Sequence, residues 1–396
     1  MKFRAGYISY ADYGGPLVHT KEFIKEFQKL IPDLMTYCPH LEKDSSCIGP
    51  GRETLLNKLF LHLPAWSRQL KLEFYQLRKL LRDWAKWPYF AKLYQEQNVD
   101  IVVVRYDVYV MAPIYAAYRR GIPVLLEVNG ILSKHHSDRI TRLFENFVLS
   151  KMDGAFAVCN PLAQLLVNLK VPIEKIRVIP NGVCLENFQS PNLSVVPASL
   201  RRKLNDKTVI GYVGTFTVYH DLLTLISGFA RALSKVPNLC LLLIGEGRNR
   251  HQVIEIVKSF GVEKNTFFAD KVSNNHIPSY LQLCTIVVNP MKQIYKDGFH
   301  GAPIKMFEYM AARKPIISTD FESLRHLLGD SAVFVAPGSE LGWRDALITL
   351  AQDKKVQQEK GTQAFEHLIK CGYTWKENAK KVFEYCRDIL VCSAGL

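Results

Sequence analysis

The segment from Gly298 to Ala312 combines residue types that bind phosphate and sugar hydroxyls. Its small residues let a ligand approach the backbone closely, and Pro303 suits the first turn of a helix. The N–H groups and the dipole of that helix start attract phosphate. Lys305 adds a mobile positive charge, and Glu308, one turn later, can accept hydrogen bonds from sugar hydroxyls.

Phosphate and polyol recognition in one segment predicts a nucleotide-sugar site. The alternative is a common Gly-x-Pro turn before an ordinary core helix, in which Ile304, Met306, Phe307 and Met310 are simply buried. The segment alone leaves both interpretations open, because a short motif needs a structural context.

Length and composition describe an ordinary globular protein. The chain has 396 residues, of which 48% are hydrophobic and 22% charged, which indicates two or three domains with their own cores. No apolar run approaches the length of a membrane span, and the first residues do not form a signal-peptide pattern. We therefore expect a cytoplasmic protein.

Cysteines and charge limit the partners. The nine cysteines show no Cys-x-x-Cys spacing, so we expect reduced thiols rather than disulfides or a zinc site. The formal net charge of +14 is compatible with nucleic acid, an anionic membrane or anionic small molecules. No nucleic-acid-binding motif is present, so we expect no nucleic-acid partner.

Apolar runs alternate with amphipathic stretches along the whole chain, which predicts parallel βαβ units with helices on both faces of each sheet. The predicted strands are 4–10, 100–104, 123–128, 154–158 and 176–179 in the first half, and 209–213, 239–244, 266–269, 286–289, 315–318 and 332–335 in the second. We predict domains at 1–188 and 198–370, a polar linker at 189–197, and a helical segment at 371–396 packing back toward the first domain.

The stretch 57–94 has a basic face opposite a Leu/Trp face at helical spacing. Such a helix suits the surface of an anionic membrane. The alternative is that the apolar side chains face the protein core while the charges are solvated. The two interpretations can coexist, because only Trp66, Trp84 or Trp87 need touch lipid.

The ordered set of motifs resembles glycosyltransferase family 4, which has the GT-B fold of two facing Rossmann-like domains and retains anomeric configuration. The resemblance covers nearly the whole chain and is strongest from Val178 to Ser318. It depends on these segments: Gly14-Gly15-Pro16, Val178-Ile179-Pro180-Asn181-Gly182-Val183, Val213-Gly214-Thr215-Phe216, Leu243-Ile244-Gly245-Glu246-Gly247, Ala302-Pro303-Ile304-Lys305-Met306-Phe307-Glu308 and Pro315-Ile316-Ile317-Ser318.

The resemblance implies a nucleotide-diphosphate sugar donor, held mainly by the second domain, with Glu308 on the ribose hydroxyls. It also implies an inter-domain cleft and a saccharide or lipid-linked acceptor, in a setting such as bacterial polysaccharide biosynthesis on the cytoplasmic face of the membrane. The donor-binding residues that we predict are Gly14, Gly15, Gly214, Thr215, Gly245, Gly247, Arg248, Gly301, Ala302, Pro303, Ile304 and Glu308.

The chain departs from the family pattern at several positions. His300 stands where many members have the first glutamate of a pair, and Thr215 and His220 stand where an arginine and a lysine clamp the diphosphate. A histidine often found after the strand 123–128 is replaced by Asn129. Lys305, with Arg248 as a second cation, is the predicted replacement for the clamp.

Lys305, His300 and His220 are therefore the predicted catalytic residues, although each histidine, and His19 near the glycine loop, can equally have a packing role. No Asp-x-Asp sequence occurs, so we predict metal-independent transfer without a cofactor. The departures also leave open a non-catalytic nucleotide-sugar-binding protein with the same fold. A GT-B epimerase or phosphorylase is a further rival that no motif supports.

Overall fold

The computed structural model describes residues 2–11, 14–41, 65–107, 110–135, 138–294 and 298–393, and the chain divides into two compact units. The first unit contains the chain up to Pro180 and again from Asn378 onward, and the second runs from Asn181 to Glu377. Both units are built on a parallel sheet covered by helices, so the α/β class predicted from the sequence is confirmed.

The first unit contains a six-stranded parallel sheet in the order β2-β1-β3-β4-β5-β6. Its strands are β1 (Ala5–Ile8), β2 (Met35–Tyr37), β3 (Ile101–Arg105), β4 (Val124–Val128), β5 (Gly154–Ala157) and β6 (Ile176–Val178). Its helices are Gly14–Leu30, Ala65–Trp84, Trp87–Glu96, Met111–Arg120, Leu132–His135, Arg139–Lys151 and Asn160–Asn168. The β-branched run of β3 is completely buried, as expected for a strand covered on both faces.

The second unit contains another six-stranded parallel sheet, in the order β12-β11-β10-β7-β8-β9. Its strands are β7 (Thr208–Val213), β8 (Leu239–Ile244), β9 (Thr266–Ala269), β10 (Ile286–Asn289), β11 (Ile316–Thr319) and β12 (Ala332–Val335). Its helices are Ala198–Leu204, Leu222–Leu233, Arg250–Ser259, Ile277–Gln282, Ile304–Ala311, Glu322–Leu328, Glu340–Gln352 and Lys354–Cys371.

The division between the units differs from the sequence-based boundaries at 189–197 and 371. The backbone N–H of Val183 donates to the carbonyl of Tyr373 at 3.2 Å, so the turn at 181–183 packs within the second unit rather than ending the first. The polar stretch 189–197 is mostly exposed surface of the second unit. Its linker-like composition reflects that exposure.

The last helix spans Trp375–Ser393, and from Asn378 onward it packs against the first sheet. Ala379, Val382 and Cys386 are buried in the same core as the β1 side chains. Two polar contacts join the helix to the edge strand β6 and the residue before it: Arg177 of β6 pairs with Asp388 at 2.8 Å, and the Tyr385 hydroxyl donates to the Lys175 carbonyl at 2.8 Å.

The basic stretch 57–94 forms two of the helices of the first unit, Ala65–Trp84 and Trp87–Glu96, while 57–64 and the side chain of Trp66 lie outside the described residues. Trp84 and Trp87 contact Tyr115, with ring centres 6.0 and 5.5 Å apart. Leu77, Leu81 and Trp84 are nevertheless at least 37% exposed. Across the described ranges, no helix combines the length and the hydropathy that crossing a membrane requires.

Candidate active site

The strand order of the second sheet reverses between β7 and β10. In open α/β sheets, ligands bind outside the carboxyl ends of the strands at such a reversal. Residues 214–221 follow β7, and residues 290–303 lead from β10 to the helix Ile304–Ala311. The segment that the sequence indicated as a phosphate site therefore lies at the topological switch point.

Lys305 lies in the first turn of that helix and is only 8% exposed. Its Nζ atom is 4.7 Å from the centre of the Tyr212 ring, and it has no hydrogen-bond partner in the described part of the chain. Burial lowers the pKa of Lys305 to about 7, although the nearby Glu308 carboxylate acts in the opposite direction. Because an unpaired buried ammonium is unfavourable, the site favours an anion beside Nζ.

The turn before the helix is held by side chains from two other segments. Asn181 Nδ2 donates to the Ala302 carbonyl at 2.9 Å, and the Ser323 hydroxyl donates to the Phe299 carbonyl at 2.6 Å. Pro303 is the N-cap, in an extended conformation and without a side-chain cap, so it precedes the first helical turn rather than entering it. The first-turn amides consequently have no capping side chain and can bind an anion.

Glu308 is one turn after Lys305 and only 6% exposed. The next residue, Tyr309, joins the two strands at the switch point: its hydroxyl accepts from the Val213 N–H at 2.8 Å and lies 3.3 Å from the Val288 carbonyl. The helix is thereby fixed to the ends of both β7 and β10. Sequence reasoning missed Tyr309, because an aromatic residue in an apolar helix gives no signal of its own.

The glycines after β7 and β8 allow two loops to touch. A Cβ on Gly245 would lie 2.1 Å from the Gly214 carbonyl oxygen, and one on Gly247 would lie 2.3 Å from the Phe216 carbonyl oxygen. Gly214 itself has φ 154°, and a Cβ there would lie 2.9 Å from the Tyr212 hydroxyl oxygen. The requirement for glycine at 245 and 247 thus comes from loop packing, and their contact with a donor remains a prediction.

His220 packs beside the lysine rather than projecting freely from the loop. Its ring meets the Tyr212 ring edge to face at 5.6 Å, and Nδ1 is 3.3 Å from the Thr217 hydroxyl. Burial, followed by the positive charge of Lys305, lowers the pKa of His220 well below its usual value. His220 is consequently neutral near pH 7.

The remaining predicted residues of the second unit differ in their exposure. Thr215 is exposed, and its carbonyl accepts from the Tyr212 hydroxyl at 3.1 Å. Arg248 is exposed, His300 is half-buried, and Gly301 is buried in the turn before the helix. Among the described residues, no group of three or more His, Cys, Asp or Glu side chains is arranged to hold a metal ion.

The first unit contains a second group of functional interest, centred on the fully buried Glu127 of β4. Its carboxylate lies 2.9 Å from His19 Nε2 and pairs with Arg105, while the Tyr7 hydroxyl donates at 2.7 Å and Asn129 Nδ2 at 2.6 Å. Burial opposes its ionisation, but His19 and Arg105 together lower the pKa of Glu127 to about 2.

Sequence reasoning missed this group, because a single glutamate in an apolar strand gives little signal. His19 is held inside the unit by Glu127 and is only 2% exposed. The glycine pair Gly14-Gly15, in contrast, is exposed at the start of the helix Gly14–Leu30, with Gly14 at φ 61°.

Family comparisons agree with this geometry. Residues 13–187 match the family described as Glycosyltransferase Family 4, and residues 207–353 match the family described as Glycosyl transferases group 1. The α-D-kanosaminyltransferase of Streptomyces kanamyceticus is 20% identical over 62% of this chain and 65% of its own length. The N-acetyl-α-D-glucosaminyl L-malate synthase of Bacillus anthracis is 21% identical over 70% of this chain and 72% of its own.

Solved structures share the architecture. HepE from Anabaena, in a crystal structure with UDP and glucose, superposes with a TM-score of 0.71 at 13% identity. The superposition covers 98% of this chain and 100% of HepE. At this identity the likeness to HepE establishes a common fold and nothing finer. This chain spans just under two thirds of the length of the kanosaminyltransferase.

Proposed function

Because this chain belongs to the family 4 (group 1) glycosyltransferases and has the GT-B fold, we propose that it is a retaining enzyme acting on a nucleotide-diphosphate sugar. The acceptor is a saccharide or a lipid-linked saccharide, as in bacterial polysaccharide or glycoconjugate biosynthesis. The observation that carries this proposal is the buried Lys305 ammonium, which has no hydrogen-bond partner in the described structure and lies beside a helix start at the switch point.

In the proposed reaction, the bond between the anomeric carbon and the diphosphate oxygen breaks as the acceptor oxygen bonds to the same face of the sugar. The departing diphosphate carries the negative charge and takes the proton of the acceptor hydroxyl. Lys305 and the first-turn amides stabilise that charge. Glu308 holds the ribose hydroxyls, and most of the rate comes from positioning and charge.

UDP-linked sugars are the first donors to test. The crystal structure of HepE, which shares this fold, contains UDP and glucose. The residues described in the second unit do not favour GDP or dTDP over UDP, so all three classes belong in the first screen.

A peripheral contact with an anionic membrane is part of the proposal. On the helix Ala65–Trp84, the exposed Leu77 and Leu81 lie beside the exposed basic residues Arg78, Lys79 and Arg82. Such a surface combines apolar insertion with attraction to anionic lipid. It also supports a location on the cytoplasmic face.

The test is release of nucleoside diphosphate by purified protein from UDP-, GDP- and dTDP-sugars, with and without an acceptor extract. We expect Lys305→Ala and Glu308→Ala to reduce kcat/KM at least 100-fold. Lys235→Ala and Glu263→Ala are matched controls, because both residues are exposed at the opposite edge of the second sheet. Donor binding without turnover would instead support a non-catalytic binding protein, and unchanged turnover in both site variants would refute the assigned site.

A further inference from the structure

Three tyrosines lie together at the carboxyl edge of the first sheet. Tyr10 follows the end of β1, Tyr37 is the last residue of β2, and Tyr89 lies in the first turn of the helix Trp87–Glu96, which leads to β3. A helix that connects parallel strands begins at their carboxyl edge, so residues distant in sequence meet there. We call Tyr10, Tyr37 and Tyr89 the tyrosine cluster.

The rings of the tyrosine cluster form one connected group. The centre of the Tyr37 ring is 5.9 Å from that of Tyr10 and 6.0 Å from that of Tyr89. Phe90 supports the group from the core, with its ring edge to face with Tyr37 at 4.8 Å. Tyr89 is 55% exposed, and Tyr10 and Tyr37 are half-buried. The cluster therefore combines a fixed base with an accessible aromatic surface.

Charged groups border the aromatic surface on one side. The Tyr10 hydroxyl donates to Asp83 Oδ1 at 3.1 Å, and the other carboxylate oxygen accepts from the Ala112 N–H at 2.9 Å. Lys86 Nζ lies 5.8 Å from the centre of the Tyr10 ring and 3.9 Å from Asp83. Asp83 thus holds Tyr10 in place, while the half-exposed Lys86 ammonium can donate hydrogen bonds outward.

Both location and chemistry favour a carbohydrate ligand. The strand order of the first sheet reverses between β1 and β3, and open α/β sheets bind ligands at the carboxyl edge beside such a reversal. Tyr10 directly follows β1 at this edge, and Tyr89 joins it through Tyr37 of the neighbouring strand β2. Tyrosine offers an apolar ring and a polar hydroxyl to one ligand. A pyranose ring presents the complementary surface, with a C–H face that stacks on an aromatic ring and hydroxyls at its rim.

We propose that the tyrosine cluster is a subsite for a pyranose ring of the saccharide acceptor, with Tyr89 as the stacking platform and Lys86 as a hydrogen-bond donor to the sugar rim. This inference depends on the proposed glycosyltransferase function. An anionic lipid surface fits this place less well, because the Asp83 carboxylate lies within the same group of side chains.

The experiment measures saturation transfer from the full-length protein, saturated with UDP, to methyl glycosides of glucose, galactose, mannose and N-acetylglucosamine. We expect transfer to the ring C–H protons of at least one glycoside. In Tyr89→Ala that signal falls to less than a third, while Tyr89→Trp retains it. Tyr118→Ala is the matched control, because Tyr118 is 49% exposed on another helix of the same unit.

UDP binding to each protein, measured by calorimetry in the same buffer, separates the two levels of the argument. Wild-type protein that binds neither UDP nor another nucleoside diphosphate would refute the proposed function. Retained UDP binding with no glycoside signal, or with equal signals in wild type and Tyr89→Ala, would refute the subsite alone. Because UDP is expected to bind the second unit, a circular-dichroism spectrum and a urea midpoint equal to those of wild type show that the first unit of Tyr89→Ala is folded.

Discussion

The buried lysine of the donor site predicts that donor affinity falls as the pH rises through neutrality. The pKa of Lys305 is lowered to about 7 by burial, against the raising effect of Glu308. Two titratable groups beside Lys305 keep their charge state in this range: burial lowers the pKa of His220 well below its usual value and raises that of Tyr212 well above it. Of these three groups, Lys305 is the one whose charge changes near neutral pH.

The size of the effect follows from the protonated fraction. With a pKa of about 7, the ammonium form makes up about 90% of the protein at pH 6, about half at pH 7 and about 10% at pH 8. If only this form binds a diphosphate, the apparent Kd is the intrinsic Kd divided by that fraction. The apparent Kd therefore rises about tenfold between pH 6 and pH 8.

Calorimetric titration with UDP-glucose measures this directly, because the diphosphate of a nucleotide sugar has no group that titrates in the same range. At pH 7, buffers of different ionisation enthalpy report uptake of about half a proton per site. Lys305→Arg is the informative variant, since its guanidinium stays charged throughout and its affinity profile becomes flat. Lys235→Ala retains the wild-type slope.

Two results would refute this reasoning. Wild-type affinity that is constant from pH 6 to pH 8, without proton uptake, would show that Lys305 does not charge on binding. An unchanged slope in Lys305→Arg would show that another group is responsible.

Three further predictions concern stability and one concerns metal dependence. The folded pKa of Lys305 is lower than the unfolded value of 10.5, so the unfolded chain binds more protons between these two values. The free energy of unfolding of the wild type therefore rises with pH, by at most about 1.4 kcal/mol per pH unit from pH 7 upward. Urea unfolding at pH 7 and pH 9 will show this rise in wild type and not in Lys305→Met. Gly245→Ala places a methyl group 2.1 Å from the Gly214 carbonyl oxygen at φ 133° and will reduce the free energy of unfolding by about 1–3 kcal/mol. Gly261→Ala also has a positive φ, 67°, but no atom within 4 Å, so it carries the backbone strain without the clash and will cost less; equal losses would contradict the loop contact. Glu127→Gln leaves His19 and Arg105 buried without their carboxylate and will lower the free energy of unfolding by about 3–5 kcal/mol. If the urea midpoint of Glu127→Gln equals that of wild type, this prediction is wrong. Sugar transfer will continue in excess EDTA. If EDTA abolishes the activity and added Mg²⁺ restores it, the reaction depends on a metal and the prediction is wrong.

Much of the fold could be predicted because buried parallel strands form near-continuous apolar runs. The predicted bounds of β8 and β10 are those observed, and β7 begins one residue earlier. The three-residue β2 (Met35–Tyr37) was missed, because it is too short to show a pattern and its middle residue is exposed. Its absence from the prediction changes the strand order, since β2 is the edge strand beside β1.

The candidate site could be predicted only in part. Local spacing identified the helix start and Lys305, because capping and phosphate attraction depend on neighbouring residues. The contact of Lys305 with Tyr212, its proximity to His220 and the hydrogen bond of Tyr309 with Val213 all join the helix Ile304–Ala311 to β7 and the loop after it, which are far away in sequence. The Glu127 group likewise assembles from β1, β3, β4 and a helix.

The central claim is that Lys305 binds the diphosphate of the donor, and a comparison of UDP with UMP tests it most directly. Calorimetry measures both Kd values for wild type and Lys305→Ala at pH 6.5, where Lys305 is mostly charged. We predict that wild type binds UDP more tightly than UMP and that Lys305→Ala weakens UDP at least tenfold while UMP changes less than twofold. An unchanged ratio of the two Kd values in Lys305→Ala would contradict the claim.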